Sequence, residues 1–147
     1  MLFRRTYCRS SFGWDPAVKL AELFDSLSRF ILVHSEERLV AFAMFRFEYE
    51  HYNNLLYCYE LQVSSSSQRA GIGRLLLRWL ESIGVAWEMD KLVLTVLKGN
   101  INAVEFYHSF GFQIDATSPG YTVEDDSPND VDDVDYEILS KELINET

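Results

Sequence analysis

Apolar residues recur at Leu20, Leu23, Phe24 and Leu27, the spacing of one helix face, just after the helix-start signal Trp14-Asp15-Pro16. Phe30 to Val33 is a short apolar run, and Ser35-Glu36-Glu37-Arg38 reads as a turn. Leu39 to Glu50 roughly alternates and is rich in aromatics. After a second turn at Tyr52-Asn53-Asn54, Leu55 to Ser64 reads as another strand. These runs predict an antiparallel meander. An amphipathic segment then follows Gly71–Gly73 and predicts a helix. Lys91 to Leu97 has the composition of a buried strand, and Asn102 to Ser109 reads as a short helix stopped by Gly111. Phe112 to Ala116 and Val134 to Ser140 are the last predicted strands, separated by a polar, acidic loop. A strand–helix–strand crossover joined to a meander predicts an α/β fold with a mixed sheet.

The junction "SSSSQRAGIGR", Ser64 to Arg74, places two glycines where a helix should begin. Glycine costs a helix interior roughly 1 kcal/mol against alanine, so bare backbone must serve some purpose there. The first turn of a helix has N–H groups without partners and carries partial positive charge, which suits an anion such as phosphate. Arg69 and Arg74 flank the glycines and could add charge-assisted contacts. The alternative is a loop whose glycines merely pack closely. No Gly-Lys-Ser/Thr follows, which excludes a P-loop, and the third glycine of a dinucleotide fingerprint is missing.

With 147 residues, 48% of them apolar, the chain fits one domain with a real core. No run approaches the ~20 apolar residues of a membrane span, and no signal-peptide pattern opens the sequence. Cys8 and Cys58, with His34, His51 and His108, have no metal-ligand spacing. The plain expectation is a soluble intracellular protein with reduced thiols and no metal. The net charge of −10 is concentrated: eight acids and no Lys or Arg lie between Glu124 and Glu137, leaving fifteen acids against thirteen bases elsewhere. A near-neutral body argues against direct nucleic-acid binding, and the acidic run reads mostly as a solvated loop.

Two elements then coincide. Gln68-Arg69-Ala70-Gly71-Ile72-Gly73 follows a strand and resembles the Q/R-x-x-G-x-G/A element of the GCN5-related N-acetyltransferase superfamily. "NINAVEFYHSFGF", Asn100 to Phe112, resembles the same superfamily's N-x-x-A-x-x-F-Y-x-x-x-G-F element, in the right order and one strand later. The resemblance implies a mostly antiparallel mixed sheet, splayed at its centre, with flanking helices and acetyl-CoA in the split. A narrower resemblance is carried by "FRFEYE", "YCYELQV", "LTVLKGNINAVEFY", "FQIDATSPGY", "DYEILSK" and "YCRSSFGW". These are similar to the N-alpha-acetyltransferase D (NatD) family, which acetylates histone N-termini beginning Ser-Gly-Arg-Gly. Phe12 stands where that family is expected to carry tryptophan. On this resemblance residues 1–147 form a single N-acetyltransferase domain, without the family's basic N-terminal extension, acting as a monomer in cytoplasm and nucleus on histone N-terminal peptides.

The site implied by the resemblance begins with acetyl-CoA. It would lie along Leu61, Gln62 and Val63 and against Gln68, Arg69, Ala70, Gly71, Ile72, Gly73 and Arg74, with Asn102 and Tyr107 on the far wall. Leu61 and Val63 would pair through their backbone with the pantetheine arm, and Tyr107 could protonate the leaving thiolate, or simply pack under its helix. Glu60 is the acid best placed to serve as base; the alternative is a strand carboxylate held by a basic neighbour. An α-amine, with a pKa of about 7.7–8.0 against about 10.4 for lysine, needs only a modest base. Tyr7, Trp14, Tyr57, Tyr59 and Tyr136 would wall a narrow peptide slot, and Glu48 and Glu50, on one strand face, suit an arginine or lysine of the peptide. Strict alternation places Tyr57, Tyr59 and Leu61 on one face and Glu60 on the other. Tyrosines and base can therefore share a site only around a β-bulge, expected between Tyr59 and Ser64. Two further readings stay open: a superfamily member acetylating lysine side chains or small amines, and a non-catalytic module with a CoA-type fold that binds basic tails.

Overall fold

The computed structural model describes residues 15–121 and 134–143. Tyr7, Trp14 and positions 124–133 of the acidic run lie outside the described residues. Helix α1 (Pro16–Leu23) leads into strands β1 (Arg29–Ser35), β2 (Arg38–Glu50) and β3 (Asn53–Val63). A 3-10 turn over Ser65–Ser67 precedes α2 (Ile72–Ala86), followed by β4 (Lys91–Leu97), α3 (Ile101–Phe110), β5 (Gln113–Ile114) and β6 (Tyr136–Glu142). The strands form one six-stranded sheet in the order β1-β2-β3-β4-β6-β5. Only β3 and β4 run parallel; the other neighbours are antiparallel. The expected mixed, mostly antiparallel sheet is observed.

The sheet is splayed at its centre. β3 and β4 pair only over Leu55–Cys58 and Lys91–Leu94, although β3 runs on to Val63 and β4 to Leu97. Below the split the core is apolar: Leu56, Cys58, Leu92 and Leu94 pack with Leu76, Leu77 and Leu80 of the crossover helix α2. Burying each such leucine contributes about 1.5–3 kcal/mol of hydrophobic stabilisation. Leu143, just past β6, packs closely on α2 because Gly84 carries no Cβ. One built there would clash with Leu143 Cδ1.

The split begins at a β-bulge. Met44 pairs with Glu60 and Phe45 with Cys58, which leaves Tyr59 as an extra residue on β3. The bulge thus lies at the near end of the expected stretch, and it reverses the facing of the later β3 residues. Glu60 joins Tyr57 on the face of Met44 and Arg46, whereas Leu61, opposite Ala43, turns toward the core. Strict alternation groups Leu61 with the tyrosines. The inserted residue overturns that grouping, because one added position exchanges the two faces of a strand.

Several boundaries differ from those the sequence predicts, three of them with a visible cause. α1 stops at Leu23, where the Asp25 carboxylate takes the Leu27 N–H (2.8 Å) and Ser28 N–H bonds to Asp25 O (3.0 Å), turning the chain. Leu20, Phe24 and Leu27, three of the four residues of the predicted helix face, are exposed, Phe24 to 81%. β5 is only Gln113–Ile114, because Asp115 accepts from the Thr117 N–H (2.9 Å) and hydroxyl (2.6 Å) and starts a turn. β6 spans Tyr136–Glu142, two residues later than expected at each end, in register with all seven residues of β4.

Candidate active site

Where β3 and β4 part they leave a cleft of about 420 Å³. β3 contributes every residue from Tyr57 to Gln62 to it, the expected site residue Leu61 included, and β4 contributes Leu94 to Leu97. Asp15, Val18, Lys19 and Glu22 of the α1 segment form a third wall, and Asn100, Ala103 and Tyr107 of the α3 segment a fourth. From Tyr59 onward β3 has β2 on one side and no strand on the other, so alternate backbone groups face the opening.

Glu60 is buried, with its side chain 2% exposed. One carboxylate oxygen contacts the Lys19 ammonium, and the other accepts from Gln62 Nε2 at 3.1 Å. Both features posed by the sequence are present together: a carboxylate in the cleft, and a basic neighbour holding it. Lys19 also reaches Glu22 Oε1 at 3.2 Å, so its ammonium bridges two acids. The Cys58 thiol donates to the Glu60 carbonyl oxygen at 3.4 Å. Burial, reinforced by the Glu60 charge, pushes that thiol up to about 12, so it remains protonated and unreactive.

Tyr107 stands on α3, its ring edge-on to Phe112 with centroids 5.7 Å apart. Burial raises its pKa well above the ordinary tyrosine value, and the nearby Cys58 and Glu60 add to the effect. The hydroxyl therefore keeps its proton at neutral pH and can act only as a donor or neutral acceptor. Tyr57 and Tyr59 lie side by side, ring centroids 4.8 Å apart, with Arg46 4.7 Å above the Tyr59 ring. Tyr57 shares a 2.5 Å hydrogen bond with Thr95 across the split, and Tyr59 donates to the Glu48 carboxylate. The Tyr57 pKa is also raised, by burial first and then by the negative charges of Glu48 and Glu50, against the Thr95 hydrogen bond.

The glycine junction divides its labour. Gly71 is the N-cap of α2, with φ +78°, a left-handed conformation that favours glycine, and nothing lies within 4 Å of where its Cβ would be. Gly73 is different: a Cβ there would meet Phe106 Cζ at 3.2 Å, so its bareness serves close packing with α3. Gln68 donates to the Val63 carbonyl (3.3 Å), and the Arg74 guanidinium lies over the Phe110 ring at 5.5 Å. These residues, with Arg69, Ala70 and Ile72, form the loop and helix start outside the cleft lining.

Several expected residues lie elsewhere. Asn102 is exposed on the first turn of α3; Asn100 lines the cleft instead and caps that helix through Ala103 N–H at 3.4 Å. Glu48 and Glu50 flank the tyrosines without lining the cleft, Glu50 being exposed. Tyr136 pairs with Leu97 at the mouth end of β4, also outside the lining. Lys19, Cys58 and Thr95 line the cleft although no sequence motif includes them in the site. Only Thr95, a polar residue inside the apolar run "KLVLTVL", left a readable sign.

A family profile described as the acetyltransferase (GNAT) family matches residues 3–112. The chain belongs to this family. Solved structures agree at the level of the fold. Tetrahymena GCN5 superposes with a TM-score of 0.70 at 14% identity, covering 99% of this chain and 84% of that one. The ribosomal-protein-S18-alanine N-acetyltransferase of Escherichia coli gives 0.67 at 21% identity, with 90% and 79% covered. Naa50 of Arabidopsis thaliana, solved with the bisubstrate analogue CoA-Ac-MVNAL, gives 0.62 at 21% identity, with 88% and 82% covered. Among the described residues no group of three or more His, Cys, Asp or Glu side chains could hold a metal ion.

Proposed function

We propose that this GNAT protein transfers acetyl from acetyl-CoA to the N-terminal α-amine of histone tails beginning Ser-Gly-Arg-Gly, as a NatD-type enzyme. The observation that carries the reading is the bulge at Tyr59, which brings Glu60 to the face of Tyr57 where the sheet opens. An acceptor amine entering there meets a carboxylate, a tyrosine wall and a protonated phenol in one cleft. Acetyl-CoA supplies the activated acetyl group. The open edge of β3 at Leu61 to Val63 suits its pantetheine amides, and the bare backbone at Gly71 suits its pyrophosphate. The Naa50 structure, with its CoA-containing analogue, supports assigning a CoA ligand to this fold.

In this reading the substrate amine takes the place of the Lys19 ammonium on Glu60, and Glu60 accepts its proton. Tyr107, held protonated by its surroundings, offers a proton to the departing sulfur. A free β3 N–H polarises the carbonyl under attack. Support for a basic third residue in the peptide is chemical: Glu48 and Glu50 lie on one face of β2 beside the tyrosines, and their charge reaches Tyr57. A second reading, acetylation of lysine side chains or small amines, is favoured by one observation: a lysine ammonium already fits against Glu60.

The test uses Ser-Gly-Arg-Gly peptides, free or blocked at the α-amine, incubated with acetyl-CoA and the full chain. The acetyl group is then located by mass. Modification of the free α-amine alone is expected. Equal acetylation of an internal lysine in the blocked peptide would move the assignment to the second reading.

A further inference from the structure

The cleft already holds a primary amine. Of the four lysines, Lys98 is exposed, Lys91 pairs with Asp115 (3.4 Å) and Glu142 (3.5 Å), and Lys141 pairs with Glu81 (2.9 Å). Lys19 alone of the four lines the cleft, its side chain 14% exposed and its ammonium on the proposed base Glu60. Tyr107 lines the same cleft, close enough to Glu60 to feel its charge. The helix that carries Lys19 buries none of its residues and presents the arm to the cleft through ion pairs with Glu22 and Glu60.

We propose that Lys19 is an internal acetyl acceptor, its ε-amine being acetylated from acetyl-CoA within the same chain. This rests on the acetyl-transfer reading above and adds a modification site to it. The ammonium first loses a proton through Glu60 to solvent. The neutral nitrogen then forms a C–N bond with the thioester carbonyl carbon as the C–S bond breaks, and its second proton ends on the leaving sulfur by way of Glu60 and Tyr107. The products are Nε-acetyl-Lys19, the CoA thiol and one released proton; nothing is oxidised or reduced. Bound peptide would compete with Lys19 for Glu60, so self-acetylation is slower while peptide is present. It becomes visible when peptide is absent.

The full chain is incubated with acetyl-CoA at pH 8, without peptide, over a tenfold range of protein concentration, and acetylated lysines are mapped by mass spectrometry. Lys98 is the internal control, since uncatalysed acetylation favours an exposed amine over an ion-paired one. The expected result is acetylation of Lys19 at least tenfold faster than Lys98, with a first-order rate independent of protein concentration. Glu60→Gln, with its fold checked by circular dichroism, should slow Lys19 at least tenfold and leave Lys98 unchanged. Lys98 reacting as fast as Lys19, a Lys19 rate that rises with protein concentration, or a Lys19 rate indifferent to Glu60→Gln would each overturn the inference. Ser-Gly-Arg-Gly peptide is added to a parallel sample. Acetylated peptide in that sample, with Lys19 unmodified in the peptide-free one, sinks this inference alone, whereas absence of both products sinks the acetyl-transfer reading and this inference with it.

Discussion

Helix α2 buries Leu76, Leu77, Leu80 and Gly84 against the sheet, whereas α1 buries none of its eight residues. Among the described residues, what ties α1 to the sheet is polar. Lys19 bonds to Glu60, and Arg46 donates to the Glu22 carbonyl at 3.0 Å and to the Ser28 hydroxyl at 3.2 Å. The Ser28 hydroxyl in turn donates to the same Glu22 carbonyl at 2.8 Å. The Asp15 carboxylate caps the helix start through Ala17 N–H (3.0 Å) and Val18 N–H (3.3 Å). One helix is thus part of the core and the other is a wall of the cleft attached by hydrogen bonds and charge. The difference separates two jobs that amphipathic patterning treats alike. Packing fixes α2, which shapes the sheet; polar ties place α1, which presents charge to the cleft.

That contrast can be broken from either side. The largest expected effect lies where α1 meets the sheet. Glu60→Gln keeps the shape and an acceptor for Lys19 but removes proton acceptance, so kcat on peptide should fall by roughly 10²–10⁴ with little change in KM. Thermal unfolding of the variant should stay near that of the parent. A wild-type kcat would make Glu60 a structural partner of Lys19 and no base. Next comes Leu80→Ala in α2. Leu80 is fully buried, and truncating such a leucine costs about 2–5 kcal/mol. Urea denaturation should show this loss, with little effect on turnover while the chain remains folded. A loss below about 1 kcal/mol would place α2 closer to α1 in kind. The smallest effect is expected from Phe24→Ser just beyond α1, where an 81% exposed ring should change stability by less than about 0.5 kcal/mol. A drop of several times that, in the same denaturation experiment, would mean that the apolar side of α1 is covered in solution.

The same contrast explains how far the sequence could be read. The element order was legible because β2, β3, β4 and α2 carry strong apolar periods and bury them. α1 has an apolar period too, but Leu20, Phe24 and Leu27 are exposed, and the residues it turns to the cleft are Val18, Lys19 and Glu22. A lysine at a helical position reads as a solvated charge, so nothing local marked Lys19 as the partner of a strand carboxylate 41 positions away. The need for a bulge was legible from the parity of Tyr57, Tyr59 and Glu60. Its place at Tyr59 was not, because register is decided by pairing with β2. Asn102 matched the motif while Asn100 lines the cleft, a distinction set by where α3 starts.

The four-residue parallel seam between Leu55–Cys58 and Lys91–Leu94 carries all the strand pairing between the two halves of the sheet. Mechanically it is the fulcrum of a lever. β3 continues five residues past it, from Tyr59 to Val63. At the usual rise these span about 16 Å, so a tilt of about 5° at the seam shifts the far end by more than about 1 Å. Displacements of that size at a transfer site can change rates by about a hundredfold. Cys58 and Leu94, whose side chains pack in the core beneath the cleft, therefore set its gauge. Their volumes act on the spacing of the strand ends beyond the seam, at positions 59–63 and 95–97.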